Sequence, residues 1–267
     1  MYGSGPMGYP ETNEALKAHV EGVFGSCPAY DTAAKPAAVP AECSPNSCPN
    51  PGLWGLNRIR APAVWSALPG EVNANPSAPV MVIDSGIRTT HRDLNGNLVA
   101  NLVVTAVESD GAGGFRAIPP VRTSLTTPPA NVALLGHGTH VAGTVYALWS
   151  NGGQESPVGV VGRALGGSCG CRTTGSSQDG FCHINCFNYA TNNGVRVINL
   201  SFGGVRPTTG GAETDAQRDA LRRFCEAGGI AVIAAGNSGV NIIRPNAWSY
   251  PAAFATEFAS KVALVQV

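Results

Sequence analysis

The stretch Gly136–Gly143, with the sequence G-H-G-T-H-V-A-G, places a histidine between two glycines, directly before a run of small apolar residues. The run continues to Leu148 and indicates a helix, so His137 would lie in its first turn. Glycines on both sides let backbone or substrate approach the imidazole closely, and a helix terminus holds the ring rigidly. This arrangement favours a catalytic base at His137. The alternative is an ordinary helix start at which His137 and His140 are packed residues.

Three further polar groups each follow directly on a mainly apolar run. They are Asp84 after Val80–Ile83, Ser201–Gly204 after Val195–Leu200, and Asn237 after Ile230–Ala235. Short apolar runs of this kind are typical of strands that are buried on both faces of a parallel sheet. Because open α/β sheets bind their ligands beyond the carboxyl ends of their strands, we expect these groups to form one site with His137.

Helical segments alternate with the predicted strands along the chain. We expect helices from Val141 to Leu148, over Cys182–Asn192 and over Thr214–Ala227, and further short strands at Val158–Val161 and Val262–Val267. The order of strand, helix, strand, helix and strand predicts an α/β fold, with a doubly wound, mostly parallel sheet and helices on both faces. Residues 105–130 are rich in Gly, Pro and Thr and are expected to form an exposed insertion.

Charge and apolar content exclude several classes of partner. The 267 residues carry 17 basic and 17 acidic side chains, so nothing indicates binding to nucleic acid or to an anionic membrane. No apolar run approaches the roughly 18 residues that a membrane span requires. We expect two parts, a Pro- and Cys-rich N-terminal extension over residues 1–50 and a main domain over residues 51–267.

Eight cysteines, an even number, are typical of a protein that matures in an oxidising compartment. Four of them fall within residues 169–186, at the spacing C-x-C…C-x₃-C. This spacing matches no standard zinc pattern, so disulfides or buried thiols are favoured over a metal, and we expect at least one disulfide there. Disulfides favour a secreted or extracellular protein, although residues 1–10 lack the layout of a signal peptide.

Five sequence blocks follow one another along the chain. They are V-x-V-I-D-S-G-I at 80–87, H-x-D-L at 91–94, G-H-G-T-H-V-A-G at 136–143, V-I-N-L-S-F-G-G at 197–204 and A-A-G-N-S-G at 234–239. In these blocks, and in their order, the chain resembles the subtilisin-like serine proteases (subtilases). The segment W-G-L…A-P-x-x-W at 54–65 is similar to the usual entry to the family's domain. The resemblance implies a subtilisin-like α/β fold over residues 51–267, incomplete at its C-terminus.

The resemblance also implies a role for each polar position. Asp84 would orient the imidazole of His137, which would act as the general base, and Asn237 would donate a hydrogen bond to the oxyanion. The residues expected to form the edge along which substrate backbone lies are Ser201, Phe202, Gly203 and Gly204. The implied reaction is hydrolysis of polypeptides by a monomeric serine endopeptidase. We therefore expect the Asp84 carboxylate close to Nδ1 of His137.

Some features depart from the family's pattern or lie outside the chemistry. The reaction needs no cofactor, but Asp93 matches a calcium ligand of many members, which makes it the candidate for a structural calcium site. The family's serine lies in a G-T-S-x-A-x-P block that this sequence does not contain, so we expect an incomplete domain that is inactive on its own. Residues 165–174 replace an apolar strand with a Gly- and Cys-rich segment, which puts a central strand in question.

Two other function classes stay open. A catalytically inactive subtilase-like module would use the same fold for binding or for structure. A metal hydrolase would use His137 and His140, at the H-x-x-H spacing, with Asp84 or Asp93 as further ligands. The metal hydrolase leaves Asn237 without a role, so the protease class is favoured.

Overall fold

The computed structural model describes the chain in separate ranges. These are residues 43, 48, 53–67, 79–109, 115–127, 136–149, 157–162, 165–171, 179–206, 211–237, 239, 241–244, 247–258 and 264–266. Apart from residues 43 and 48, the predicted N-terminal extension over residues 1–50 lies outside these ranges. Within them, no helix combines the length and the apolar character that crossing a membrane would need.

Ten strands are described, in two sheets. They are β1 (Val80–Asp84), β2 (Leu98–Ser109), β3 (Phe115–Arg122), β4 (Gly166–Gly170), β5 (Val197–Leu200), β6 (Gly204–Arg206), β7 (Ile230–Ile233), β8 (Ile243–Arg244), β9 (Ala247–Tyr250) and β10 (Leu264–Gln266). The main sheet has the order β10-β7-β5-β1-β4-β2-β3, and a small sheet has the order β6-β9-β8. Neighbours in the main sheet are parallel except for the edge pair of β2 and β3.

Helices cover both faces of the main sheet. They are α1 (Trp54–Arg58), α2 (Ala61–Ala67), α3 (Gly136–Tyr146), α4 (Asp179–Asn192), α5 (Ala212–Glu226) and α6 (Ala255–Phe258), with 3₁₀ turns at Asn95–Asn97 and Ala252–Phe254. Successive side chains of β1 point to opposite faces. Met81 belongs to the core cluster that contains Phe187 of α4, whereas Val82 packs with Ala142 and Tyr146 of α3. The predicted doubly wound α/β fold is therefore confirmed.

Two segments differ from the sequence-based expectation. Residues 105–130 contain a paired hairpin, since β3 extends the sheet beside β2, while the described residues from 116 to 127 are exposed or half-buried, as expected. Val158–Val161 is not a strand. Its backbone N–H groups donate to the last carbonyls of α3, with Val160 N–H bonded to the Thr144 carbonyl at 3.0 Å. The backbone of the run supplies partners to the terminal carbonyls of the helix, while Val158 and Val160 pack in the cluster around Trp65.

Within the Gly- and Cys-rich segment at residues 165–174, Gly166–Gly170 form a central strand, β4, between β1 and β2. Bulky neighbours on its two faces leave no room for a side chain at Gly166 or at Gly167. A Cβ atom at Gly166 would lie 2.8 Å from the Tyr146 ring, and one at Gly167 would lie 2.8 Å from the Leu102 Cβ atom. Close packing therefore requires glycine at these positions. Strand propensity does not predict this, because it takes no account of neighbouring side chains.

Two disulfides join β4 and the residue after it to α4, namely Cys169–Cys186 and Cys171–Cys182. The prediction of at least one disulfide in this region is confirmed. A third disulfide, Cys43–Cys48, lies near α1. Cys225 of α5 is a buried free thiol, and burial raises its pKa to about 12.

We predict that iodoacetamide, applied to the unfolded and unreduced protein, will label Cys225 but none of the four cysteines between residues 169 and 186. Unfolding removes the burial that keeps the Cys225 thiol protonated, whereas disulfide sulfurs do not react. Peptide mapping by mass spectrometry before and after reduction measures the labelling. Alkylation of all eight cysteines before reduction would contradict the assignment.

We also predict opposite effects on stability for two glycine-to-alanine substitutions. Gly167→Ala should lower the free energy of unfolding by about 1–3 kcal/mol, because its Cβ atom overlaps Leu102. Gly143→Ala in α3 should raise it by about 0.5–1 kcal/mol, because a Cβ atom there meets nothing within 4 Å and alanine favours the helix. Urea unfolding followed by circular dichroism measures both changes. Similar changes in the two variants would show that overlap with Leu102 does not determine the change in stability at Gly167.

Candidate active site

Asp84 is the last residue of β1, at the carboxyl edge of the sheet, and its side chain is buried. Three contacts hold it. Its Oδ1 atom accepts a hydrogen bond from the Ser85 N–H at 2.6 Å, and its backbone carbonyl accepts one from the Cys171 N–H at 2.6 Å. The third contact is the imidazole of His137. The carboxylate is thus fixed in a pocket at the end of a central strand.

His137 is the second residue of α3, and its side chain is 63% exposed. The Nδ1 atom lies 2.8 Å from Oδ1 and 2.9 Å from Oδ2 of Asp84. A carboxylate only accepts hydrogen bonds, so Nδ1 carries the proton and the Nε2 lone pair is left available as a base. The contact that was expected between Asp84 and His137 is present in the structure.

Of the two glycines beside His137, Gly138 has a clear structural reason. A Cβ atom there would overlap the Gly86 carbonyl oxygen and lie 3.1 Å from Oδ1 of Asp84. The Gly138 N–H also donates a hydrogen bond to the Ser85 hydroxyl at 3.1 Å. A Cβ atom at Gly136 would meet nothing within 4 Å. Only Gly138 is therefore needed for the close approach of α3 to the end of β1.

Asp84 and His137 open onto a cleft of about 660 Å³ that the other predicted positions also line. The predicted residues in its lining are Asp84, His137, Ser201, Phe202, Gly203, Gly204 and Asn237. Asn237 is exposed and follows β7 by four residues. Gly204 begins β6, which pairs with β9, so the stretch Ser201–Gly204 is a strand only at its last residue. The structure brings all four predicted polar groups to one cleft.

The cleft also contains residues that were not predicted from the sequence. His183 of α4 is buried, and its ring stacks on Phe202 with a centroid distance of 4.2 Å. Its Nδ1 atom lies 3.0 Å from the side-chain nitrogen of Gln217 on α5. Cys171 follows β4 and lines the cleft beside Asp84. His183 lies within α4 and Cys171 follows β4, neither in a recognisable motif, so only their place in the fold reveals them.

Asp93 and His140 lie apart from this cleft. The buried Asp93 carboxylate is 3.4 Å from Arg92 Nε and 3.6 Å from His91 Nδ1. Both groups are nitrogen donors, whereas calcium prefers oxygen ligands. Residues 151–156 lie outside the described ranges. Calcium binding at Asp93 stays a prediction.

The metal-hydrolase alternative finds no matching cluster among the residues that the structure describes. The one group of three potential ligands is Cys171, Cys182 and Cys186, whose sulfurs are in disulfides. His140 is an exposed residue of α3, and it does not join His137 and Asp84 in such a group. The site is instead a carboxylate–imidazole pair in an open cleft.

The carboxylate–imidazole pair lies at the carboxyl edge of a parallel sheet, and similarity to known proteins identifies the family. Residues 77–259 match the model of the subtilase family (Peptidase_S8), so the chain belongs to the subtilase family. Similar proteins include the major intracellular serine protease of Bacillus subtilis (strain 168), 32% identical over 75% of this chain, and subtilisin Savinase of Lederbergia lenta, 31% identical over 77%. The aligned region makes up 54% and 61% of these proteins, so the chain spans about half the length of the curated relatives that it matches.

Solved structures show the same fold. A mutant of the epidermin leader peptide processing serine protease (EpiP) from Staphylococcus aureus has a TM-score of 0.54 at 20% identity, covering 71% of this chain and 46% of that one. The MycP3 protease from the type VII (ESX-3) secretion system has a TM-score of 0.53 at 21% identity, covering 87% of this chain and 60% of that one. At such identities the likeness concerns the fold alone.

We predict that the two glycines beside His137 differ in their tolerance of alanine. Gly138→Ala should lower the free energy of unfolding by about 1–3 kcal/mol, because the new Cβ atom pushes α3 away from Gly86 and Asp84. Gly136→Ala, the matched control, should change it by less than about 0.5 kcal/mol. Urea unfolding of both variants measures the difference. An equal loss in the two variants would contradict the close approach at Gly138.

Proposed function

We propose that this chain is part of a serine-type endopeptidase that hydrolyses peptide bonds through an Asp–His–Ser triad, with Asp84 and His137 as two of its members. The observation that carries the proposal is the 2.8 Å contact between Asp84 Oδ1 and His137 Nδ1, at the wall of an open cleft. Membership of the subtilase family and similarity to serine proteases support the same activity.

In the proposed mechanism, Nε2 of His137 takes the proton of a serine hydroxyl as its oxygen attacks the carbonyl carbon of the substrate. The buried Asp84 carboxylate keeps the proton on Nδ1 and stabilises the imidazolium that forms. The imidazolium then gives its proton to the leaving amine, and an acyl-enzyme remains. Water repeats the sequence and releases the acid.

Asn237 is the proposed donor to the oxyanion of the tetrahedral intermediate. Its side chain is exposed in the cleft that also contains His137, so a substrate carbonyl can reach both. A single donor of this kind is worth about 10²–10³ in turnover in such enzymes. Substrate is proposed to bind in an extended conformation along Ser201–Gly204, with backbone hydrogen bonds to this edge.

The nucleophile is proposed to be a serine in a G-T-S-x-A-x-P block, which is absent from this sequence. Three serines line the cleft, Ser85, Ser201 and Ser249, and in the part of the chain that the structure describes none of them is hydrogen-bonded to the His137 ring. The described hydrogen bonds of the His137 ring both go to Asp84. The 267-residue chain is therefore proposed to be inactive by itself, which also keeps the alternative of a non-catalytic subtilase-like module.

The disulfides support a protein that matures in an oxidising compartment, and we propose a secreted or extracellular location on that basis. We also propose that the protein acts as a monomer. A structural calcium at Asp93 remains part of the proposal, and isothermal titration with calcium against an Asp93→Asn variant tests it. Equal heats in the two proteins would remove calcium at Asp93 from the proposal.

We predict that a longer form of the protein, continued through a G-T-S-x-A-x-P block, will react with a serine-directed fluorophosphonate and cleave unfolded casein. The 267-residue chain should do neither. In the longer form, His137→Ala should lower turnover by about 10⁶-fold, the size of the loss on removing the general base in subtilisin, a relative. Gel fluorescence and casein hydrolysis measure both activities.

His140→Ala in the longer form is the matched control, because His140 is an exposed residue of the same helix. Its turnover should stay within about threefold of the unaltered protein. Labelling and cleavage by the 267-residue chain, both abolished by His137→Ala, would show that this chain already contains its nucleophile.

A further inference from the structure

Two disulfides lie side by side behind one wall of the cleft. Cys169 and Cys171, at the end of β4, pair with Cys186 and Cys182 on successive turns of α4. The Sγ atoms of Cys171 and Cys186 are only 3.4 Å apart, so the two bridges are in contact. The proposed chemistry uses neither bridge. Their position beside Asp84 nevertheless suggests a role in the site.

The two bridges differ in what they reach. Cys169 and Cys186 are completely buried in the main core, and neither lines the cleft. Cys171 lines the cleft together with Asp84 and His137. Its partner Cys182 directly precedes His183, another residue of the cleft lining. The Cys171–Cys182 bridge therefore ties together two parts of the cleft wall.

Short backbone contacts connect Cys171 to the catalytic pair. The Cys171 N–H donates a hydrogen bond to the Asp84 carbonyl at 2.6 Å. A Cβ atom at the preceding Gly170 would lie 3.3 Å from Gly86 Cα, so the end of β4 packs against the turn after Asp84. The same turn contacts α3, since a Cβ atom at Gly138 would overlap the Gly86 carbonyl. A displacement of residue 171 is thus passed through backbone to both Asp84 and the start of α3.

Little side-chain packing holds this end of β4. The strand consists of three glycines, Ser168 and Cys169, and all five residues are buried. The strand has only two residues with side chains, so the disulfides to α4 add to the backbone pairing with β1 and β2 in fixing its end. Cys169–Cys186 fixes the middle of the strand, and Cys171–Cys182 fixes the residue that touches Asp84.

We propose that the Cys171–Cys182 disulfide is a positioning element of the Asp84–His137 pair, and that a dithiol reductant separates the pair by opening it. In this step the dithiol gives two electrons and two protons to the Sγ–Sγ bond, which yields two cysteine thiols and the oxidised, cyclic disulfide of the reductant. Cys169–Cys186 keeps β4 attached to α4 when only the Cys171–Cys182 bridge is open. The consequence for peptidase activity rests on the proposed function, whereas the effect on the pair does not.

The test is the tautomer of the His137 ring in the folded 267-residue chain. Asp84 at Nδ1 holds the ring in the Nδ1–H form, whereas a free imidazole favours the Nε2–H form. Two-bond ¹H–¹⁵N correlations through the ring C–H protons distinguish the two forms without any need for a nucleophile. The chain has five histidines, and the His137 signal is assigned by its absence from a His137→Gln variant.

Two double variants form a matched pair. Cys171→Ser with Cys182→Ser removes the bridge at the cleft, and Cys169→Ser with Cys186→Ser removes the bridge in the core. We expect the first to shift His137 from the Nδ1–H form to a majority of the Nε2–H form while far-UV circular dichroism is retained. We expect the second to keep the Nδ1–H form. An unchanged tautomer in the first variant, or the same shift in both, would overturn the proposal.

Reduction of the second variant provides an independent measurement if the first variant does not fold. In that protein Cys171–Cys182 is the remaining bridge between β4 and α4, and dithiothreitol opens it without any further substitution. The Nδ1–H form should be lost on reduction and restored on reoxidation, with circular dichroism unchanged. If peptide mapping shows that the bridge is open and the Nδ1–H form is nevertheless retained, the proposal is overturned. Loss of the circular dichroism signal along with the Nδ1–H form would also overturn it. Failure of the longer form to cleave casein would contradict the proposed function and leave this result intact.

Discussion

The hydrogen bond between Asp84 Oδ1 and His137 Nδ1, 2.8 Å apart, requires the start of a helix to lie against the end of a buried strand, and much of the structure serves this approach. The turn after β1 passes through Gly86, whose φ of 95° favours glycine. Gly138 then lets the backbone of α3 lie against that turn. A side chain at either position would oppose the contact, so two glycines make the pairing of the acid and the base possible.

The helix that carries the base is held at its other end by the same sheet. Tyr146, the last residue of α3, is buried, and its hydroxyl donates a hydrogen bond to the Gly167 carbonyl of β4 at 3.1 Å. Its ring occupies the space that a side chain at Gly166 would need. Burial raises the pKa of the Tyr146 hydroxyl well above its usual range, so the tyrosine stays neutral and remains a donor. The position of α3, and with it His137, therefore depends on a strand that has almost no side chains.

β4 is covered differently on its two faces, which explains its composition. Tyr146 fills the face towards α3, and the disulfides to α4 cover the other face together with Leu102. The cleft wall continues from there through His183 and Phe202, whose stacked rings join α4 to the segment after β5. A site that consists of a carboxylate and an imidazole in chemical terms thus depends on glycines, one tyrosine and two disulfides for its geometry.

The sequence by itself determined the family, the parallel α/β fold, and part of the set of residues that meet in the cleft. This was possible because buried strands have local apolar patterns, and because the acid and the amide lie at or soon after the end of such a strand and the base at the start of a helix. Asp84 and His137 could be placed in one site in advance, since parallel strands end, and the helices that return from them begin, at the carboxyl edge of the sheet.

Only the tertiary structure decided the rest, because it depends on contacts between residues far apart in the chain. The strand at Gly166–Gly170 lacks a strand-like composition, and it becomes a strand since Tyr146 and Leu102 fill the space around it. The apolar run at Val158–Val161 has a strand-like composition, yet its backbone N–H groups donate hydrogen bonds to carbonyls at the end of α3. The pairing of the four cysteines, and the contact of Cys171 with Asp84, follow from the register of β4 beside β1, which no local pattern specifies.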